Sequence, residues 1–538
     1  MEISSKSLTF VPNLNEFLMN RQNLFLFVWM LMLAWLPVSA QEYRNPVIPG
    51  YHPDPSVCRV GDTFYLVNSS FQYFPGVPIF QSKDMVHWQQ IGNVLDRESQ
   101  IPLKGASSWL GIYAPTIRYH EGTYYMITTN VGNGGNFFVT ATDPRGPWSE
   151  PVWLKQQGID PSLYFENGKC YMVSNPGDAI WLCEINPKTG EQLTESKQLW
   201  QGDGGRYPEG PHIYKKDGYY YLLISEGGTE LAHRLTIARS WNIEGPYESN
   251  PNNPILTNCS KLGQLMQIQG TGHGDFVQAG DGSWWMIFLA YRNYGGSYHH
   301  LGRETYLAPV EWKEGEWPVV NGGLPIDTLV KANTLPGVPL EKHLEADAED
   351  APTTGVFEWV QLQNPIPDKY LRNDTMAVDE KFFVRLYPHG TLTQNQQPTF
   401  VGRRQESACF TLETDVVTKG DAEAGLSIYQ IHDGHLDLFV SKNQVALRCK
   451  LKSIDYIVKS VPRLRKDAVR LRISSDGEMY RFAYSFDGKK FYDLGSMNCS
   501  LMSTEVAGGF TGVVLGMFAE GKEKSGYADF AYFHYNEK

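Results

Sequence analysis

The chain has 538 residues, too many for one small core, and its 42% hydrophobic and 20% charged residues describe a globular protein of two or more domains. A net charge of −12 with no long basic run excludes the clustered positive surface that nucleic acid or an anionic membrane face requires. The 14 Trp, 30 Tyr and 26 Phe suit strands and sugar-facing platforms, so a neutral partner is expected.

Residues 24–36 form an unbroken apolar run of 13, preceded by Arg21 and followed by Pro37, Val38, Ser39, Ala40 and Gln41. That is signal-peptide anatomy, too short to span a bilayer, and it assigns residues 1–40 to a signal peptide. A start at Met19 gives a signal peptide of ordinary length, so Met19 is the expected true start. Gln41 in place of a cysteine removes the simplest route to a lipid anchor. A periplasmic or secreted protein with no integral membrane segment after cleavage is expected.

Five related segments follow, DPSVCRVGDTFYLVNSS from 54, APTIRYHEGTYYMITTN from 114, DPSLYFENGKCYMVSNP from 160, EGPHIYKKDGYYYLLIS from 209 and HGDFVQAGDGSWWMIFLA from 273. Each has a small or acidic start, an apolar strand, a Gly-containing turn and an aromatic strand, which is one hairpin. The starts are 60, 46, 49 and 64 residues apart, room for four strands per unit, and such a repeat is a propeller blade. SKDMVHW (82–88), ATDPRGPW (141–148) and ARSWNIEGPY (238–247) recur at matching places and are read as outer-strand turns. Amphipathic helices are missing between the repeats, so βα crossovers are disfavoured.

The five-bladed β-propeller is assigned to residues 41–331. Residues 332–355, rich in Pro, Ala and acids, are read as the connection. Residues 356–538 alternate apolar and polar positions between Asp-Gly turns, as in 425–442 and 469–495, which is the pattern of a β-sandwich. The fold class is therefore all-β.

The first strand of each blade lines a propeller's channel, so the residues that open the repeats converge at one mouth: Asp54, Asp160, Glu209 and His273. Asp-Pro is also ordinary turn vocabulary, as Asp143-Pro144 illustrates in an outer turn. Asp54, Asp160 and Glu209 differ because they hold the equivalent position in three repeats. Three acids around one cavity raise at least one pKa by repulsion and poor hydration. Two opposed carboxyl groups, one protonated and one ionised, are what cleavage of a glycosidic bond needs. For His273, a buried residue propping the axis and a substrate contact are equally good readings.

The seven cysteines are scattered and never in CxxC spacing, which gives no metal site, and no cofactor is required; nothing in the sequence asks for a structural calcium ion. Cys170 and Cys183 fall where neighbouring strands are expected, and buried free thiols are preferred there over a disulfide.

HPDPS (52–56), YAPTIRY (113–119), GIDPSLYF (158–165), YPEGPHIYK (207–215), GTGHGDFV (270–277) and GRETYLAPVEW (302–312) stand in that order, and in this the chain resembles glycoside hydrolase family 43 from about Asn45 to the C-terminus. It looks most like the two-domain members that pair the propeller with a concanavalin-like sandwich. The resemblance implies an inverting enzyme with Asp54 as general base, Glu209 as general acid and Asp160 as the residue that tunes and orients. It also implies that Arg303 and His273 fix the base and the sugar, with Phe71, Tyr113 and Thr229 lining the pocket. Tyr113 stands where xylosidases of the family often carry Trp, so Trp109 is a candidate for the aromatic platform. Residues 508–521 resemble the sandwich loop that closes the pocket, which makes Phe510 a candidate wall and the action exo.

The expected substrate is a hemicellulose-derived oligosaccharide losing a terminal α-L-arabinofuranose, with β-1,4-linked xylose or both sugars as the alternative. A non-catalytic, lectin-like propeller leaves the acid cluster unexplained. The β-fructosidases share the architecture, but their NDPNG, RDP and EC signatures are absent.

Overall fold

The computed structural model describes residues 41–332, 357–372, 382–463 and 467–538. The expected signal peptide, and the expected connection apart from Ala332, lie outside the described residues. Residues 41–42 and 331–332 belong to a small separate unit in which Lys331 Nζ lies 3.3 Å from a Glu42 carboxylate oxygen.

Five antiparallel sheets follow one another along the chain, each with one strand that the start of a repeat marks: Ser56–Val60, Thr116–His120, Ile159–Glu166, Glu209–Lys216 and Ile268–Gln278. Each of these packs against the next, and the last packs against the first, so the ring closes as a five-bladed propeller. The three recurring turns join the third strand to the fourth in blades 1, 2 and 4. Blade-to-blade cores are apolar, as where Tyr221, Leu223 and Ile237 of blade 4 meet Met286, Phe288 and Tyr306 of blade 5.

One polar hub crosses the floor of the ring. Asp275 of blade 5 accepts from Ser56 Oγ of blade 1 at 2.7 Å, Arg118 Nη1 of blade 2 at 2.8 Å and Tyr214 Oη of blade 4 at 2.6 Å. Arg118 Nη2 also donates to His212 Nδ1 at 2.9 Å. A buried carboxylate with this many donors is fully compensated, and although burial alone would raise its pKa, the Arg118 cation holds it far below the usual carboxylate range.

Two antiparallel sheets follow, packed face to face over Leu426, Ile428, Leu438, Leu471, Ile473 and Phe482. The first of them ends in a strand borrowed from the propeller: Val360–Leu362 pairs with Tyr73–Phe74 of blade 1. Around that pairing, Tyr51, Phe71 and Tyr73 share one apolar cluster with Leu362, Phe400, Tyr429, Val514 and Phe518. Asn364 closes the seam, its Oδ1 accepting from Leu103 N at 2.5 Å and its Nδ2 donating to Ile101 O at 3.0 Å. Propeller and sandwich therefore share a core and a sheet.

All seven cysteines are free. Cys170 and Cys183 do lie on neighbouring strands, Lys169–Asn175 and Ile180–Ile185, but Cys183 faces Met172 across the ladder and Cys170 faces Ile185.

Candidate active site

The backbone bends sharply where the repeats open. Asp54 and Asp160 have φ of +54° and His273 of +45°, the left-handed region that side chains with a Cβ seldom enter. The ladders slip at Asp160, Glu209 and His273, between Ile159 and Ser162, Glu209 and His212, and Gly272 and Asp275. Such bulges re-aim a side chain off the face of its sheet, here into the mouth of the channel. Two glycines let the histidines close in: a Cβ on Gly210 would stand 3.0 Å from the His273 ring, and one on Gly272 would stand 2.1 Å from the His233 ring.

The result is a cavity of about 290 Å³ lined by Asp54, Asp160, Glu209, Phe71, Tyr113, Thr229, His273, Arg303 and Phe510, nine of the ten residues singled out in the sequence. Trp109 is the exception and is a correction to the expected platform. Its ring tilts against His432 of the sandwich at 5.7 Å, and its carbonyl accepts from Tyr113 Oη at 2.9 Å, so it supports the pocket from behind. Phe71 and Tyr113 pack on each other at 5.0 Å within the lining.

The three acids sit in different environments. Asp54 Oδ1 accepts from Arg303 Nη1 at 2.9 Å and Asp54 Oδ2 from Ser69 Oγ at 2.5 Å. Burial alone would raise its pKa, but the Arg303 guanidinium, with His273 and the Ser69 hydroxyl, brings it below the ordinary carboxylate value. Among the described residues Glu209 is paired with the His233 ring, 3.8 Å away, and not with a guanidinium or ammonium group. Burial and the Asp54 charge push it up to about 7, although its side chain keeps 19% exposure towards the pocket. Asp160, raised by burial and by the Glu209 and Asp54 charges, is held well above the usual range; its Oδ2 accepts from Gly210 N at 3.1 Å. His273 Nδ1 lies between the two aspartates, 4.0 Å from Asp54 and 3.9 Å from Asp160, and burial keeps its ring neutral. Of the three acids Asp54, against Arg303, thus ionises most readily, while Glu209 and Asp160 hold their protons to higher pH.

The chain matches the family model for glycosyl hydrolases family 43 over residues 43–318, and that for the beta xylosidase C-terminal concanavalin A-like domain over 352–536. A non-reducing end alpha-L-arabinofuranosidase of Bacteroides ovatus is 39% identical over 96% of this chain and 99% of its own length.

The chain belongs to glycosyl hydrolases family 43.

It is accordingly a glycosidase. A xylosidase/arabinosidase of Butyrivibrio fibrisolvens is also 39% identical, over 92% of this chain and 99% of its own. Among solved structures, the family 43 protein of the Bacteroides ovatus xyloglucan PUL superposes with a TM-score of 0.85 at 38% identity, covering 93% of this chain and all of that one. A xylan beta-1,4-xylosidase of Bacillus halodurans gives 0.83 at 33% identity, covering 92% and 100%. The C-terminal third has the expected concanavalin-like fold.

Four further residues belong to the site, and of these Ser69 alone lies within a repeat segment. Tyr207 and Glu230 line the cavity, Ser69 Oγ donates to Asp54, and His233 Nε2 lies 3.8 Å from Glu209. Tyr207 precedes EGPH and Glu230 follows Thr229, so proximity to recognised positions was the one available signal. Among the described residues no group of three or more His, Cys, Asp or Glu is placed to hold a metal ion, and no helix is long and apolar enough to cross a membrane.

Proposed function

We propose that the protein is an exo-acting, inverting α-L-arabinofuranosidase that removes terminal arabinofuranose from hemicellulose-type oligosaccharides after export to the periplasm or the medium. The observation that carries the reading is the division of protons within one small cavity: an ionised Asp54 paired with Arg303 opposite a protonated Glu209.

That division supplies both halves of a single displacement. Asp54 takes a proton from water as the water oxygen forms its bond to the anomeric carbon. The bond from that carbon to the leaving oxygen breaks, and Glu209 delivers its proton to that oxygen. Asp160 and His273, both neutral, orient the two carboxyls without adding charge. Phe71, Tyr113 and Phe510 offer ring faces to a sugar, and the walls leave space for a terminal residue rather than a chain. Export rests on the signal-peptide anatomy of residues 1–40.

Arabinofuranose is preferred over xylose because the Bacteroides ovatus relative, similar over nearly the whole chain, carries that activity in its name. The xylosidase names among other relatives make β-D-xylopyranoside the competing substrate. Initial rates on the two p-nitrophenyl glycosides decide between them, with a higher kcat/KM on the arabinofuranoside expected. Proton NMR of the first-formed sugar is expected to show the anomer opposite to that of the substrate; retention would refute the single displacement. Asp54→Ala is expected to abolish turnover on both glycosides.

A further inference from the structure

Blade 5 and the sandwich touch backbone to backbone beside the base. Gly302 has φ +82°, and a Cβ on it would stand 2.7 Å from Gly512 Cα; a Cβ on Gly512 would stand 2.3 Å from the Leu301 carbonyl oxygen. Next to this contact Val513 N donates to His300 O at 3.0 Å. A second tie lies eight residues earlier, where Glu505 Oε1 meets His299 Nδ1 at 2.5 Å and Glu505 Oε2 accepts from His299 N at 3.2 Å. The His299 ring is stacked on Tyr291, with centroids 3.9 Å apart and planes 16° apart, so the tie has little freedom to move.

Between the two ties the segment 505–513 presents the Phe510 ring to the pocket and the Phe510 carbonyl oxygen to Arg303. Arg303 Nη2 donates to that carbonyl at 3.2 Å, while Nη1 donates to Asp54 Oδ1 at 2.9 Å and Thr229 Oγ1 at 3.1 Å. The Arg303 backbone is fixed from the other side, its carbonyl accepting from His52 N at 3.0 Å. An arginine fork held at three points aims its charge far better than one held at one.

We propose that the Phe510 main chain, seated by the Gly302–Gly512 contact and the Glu505–His299 tie, is a positioning group that holds Arg303 against Asp54, so that the sandwich sets the ionisation of the base. This rests on the reading of Asp54 as the base. The groups facing Asp54 are Ser69 and Tyr51 of blade 1, Tyr113 beside blade 2, Asp160 of blade 3, Glu209 and His233 of blade 4, and His273 and Arg303 of blade 5. Of these, Arg303 alone donates a hydrogen bond to the sandwich segment. Burial works to raise the Asp54 pKa and the Arg303 cation is the first influence lowering it, so displacing Arg303 raises the pKa.

The test compares Gly512→Ala, Glu505→Gln and Phe510→Ala with the unmodified protein. Readouts are the pH profile of kcat/KM and, independent of turnover, a 13C NMR titration of the Asp54 carboxyl, assigned by its loss in Asp54→Asn. Gly512→Ala is expected to move the acid limb and the Asp54 titration upward by about one pH unit, a tenfold change in proton concentration. Glu505→Gln, which keeps the side-chain shape, is expected to move both the same way by less, and it decides the matter if Gly512→Ala does not fold. Phe510→Ala keeps the carbonyl, so it is expected to raise KM and leave the acid limb in place. An unmoved Asp54 titration in the folded Gly512→Ala or Glu505→Gln protein overturns the proposal, as does an equal shift in Phe510→Ala. A wrong reading of Asp54 shows separately, as an Asp54→Asn protein that still turns over.

Discussion

Asp275 and Glu209 both sit on the innermost strand of a blade, and the protein handles their charge in opposite ways. Asp275, with no exposed side-chain area, takes hydrogen bonds from three other blades and sits against the Arg118 guanidinium. Glu209, a short way along the same channel, meets a neutral imidazole at 3.8 Å and two other carboxyls, and keeps its proton. One site turns a buried charge into cohesion between blades; the other leaves a carboxyl under-compensated so that its proton is available. Both are carboxyls on an inner strand, Asp275 fully buried and Glu209 19% exposed, and their partners set the charge of each.

The largest effect that can break this comparison is on turnover. Glu209→Ala is expected to slow hydrolysis of an alkyl arabinoside by a factor on the order of 10² to 10⁴, and to lose much less on the dinitrophenyl glycoside, whose leaving group needs no proton. Equal losses on both would take the acid role away from Glu209. Its unfolding in urea should stay close to that of the unmodified protein.

Asp275→Asn reverses the pattern. It strands the Arg118 cation without a counter-charge, for an expected loss of about 3–5 kcal/mol in urea unfolding. Any folded fraction retains the ordinary substrate preference. An unchanged midpoint would show that the hub is not what holds the floor of the ring.

The pH profile sharpens the contrast. With Glu209 pushed up to about 7, its proton is lost as pH rises through 7, so kcat/KM is expected to fall there, while the lowered Asp54 keeps the acid limb below the ordinary carboxylate range. Glu209→Ala assayed on the dinitrophenyl glycoside should lose the alkaline limb.

The smallest expected effect concerns Asp160. Its folded pKa is raised, so the stability it contributes is complete below the unfolded value and drains away as pH rises through the folded one. Asp160→Asn removes that drain. The variant should unfold at a higher temperature than the unmodified protein at pH 8, with the gap closing towards pH 4, and a constant gap would mean that Asp160 is ionised in the fold.

The blades were legible because a repeat compares the chain with itself: Asp54, Asp160 and Glu209 stand out by equivalent position, where composition alone marks Asp143 as strongly. Arg303 and Phe510 came from the resemblance, and the fold brings both to the pocket from elements far apart in sequence. Trp109 was misread because an aromatic four residues before Tyr113 looks the same whether it faces a sugar or His432; the sandwich that claims it is over three hundred residues away. Asp275 has no signal of its own within GTGHGDFV, since its partners come from three other blades. The strand Tyr73–Phe74 is too short to show any period.

The pairing of Tyr73–Phe74 with Val360–Leu362 has a bearing on how the protein is made. The propeller leaves the ribosome first, yet residue 73 must wait for residue 362 before its backbone groups and the apolar cluster around it are covered. Contacts of such long sequence separation form late. The nascent propeller therefore carries an open seam until the last third of the chain has been synthesised. Gene rearrangements that swap the sandwich for an unrelated module would leave that seam raw, so the two halves are bound to be inherited together.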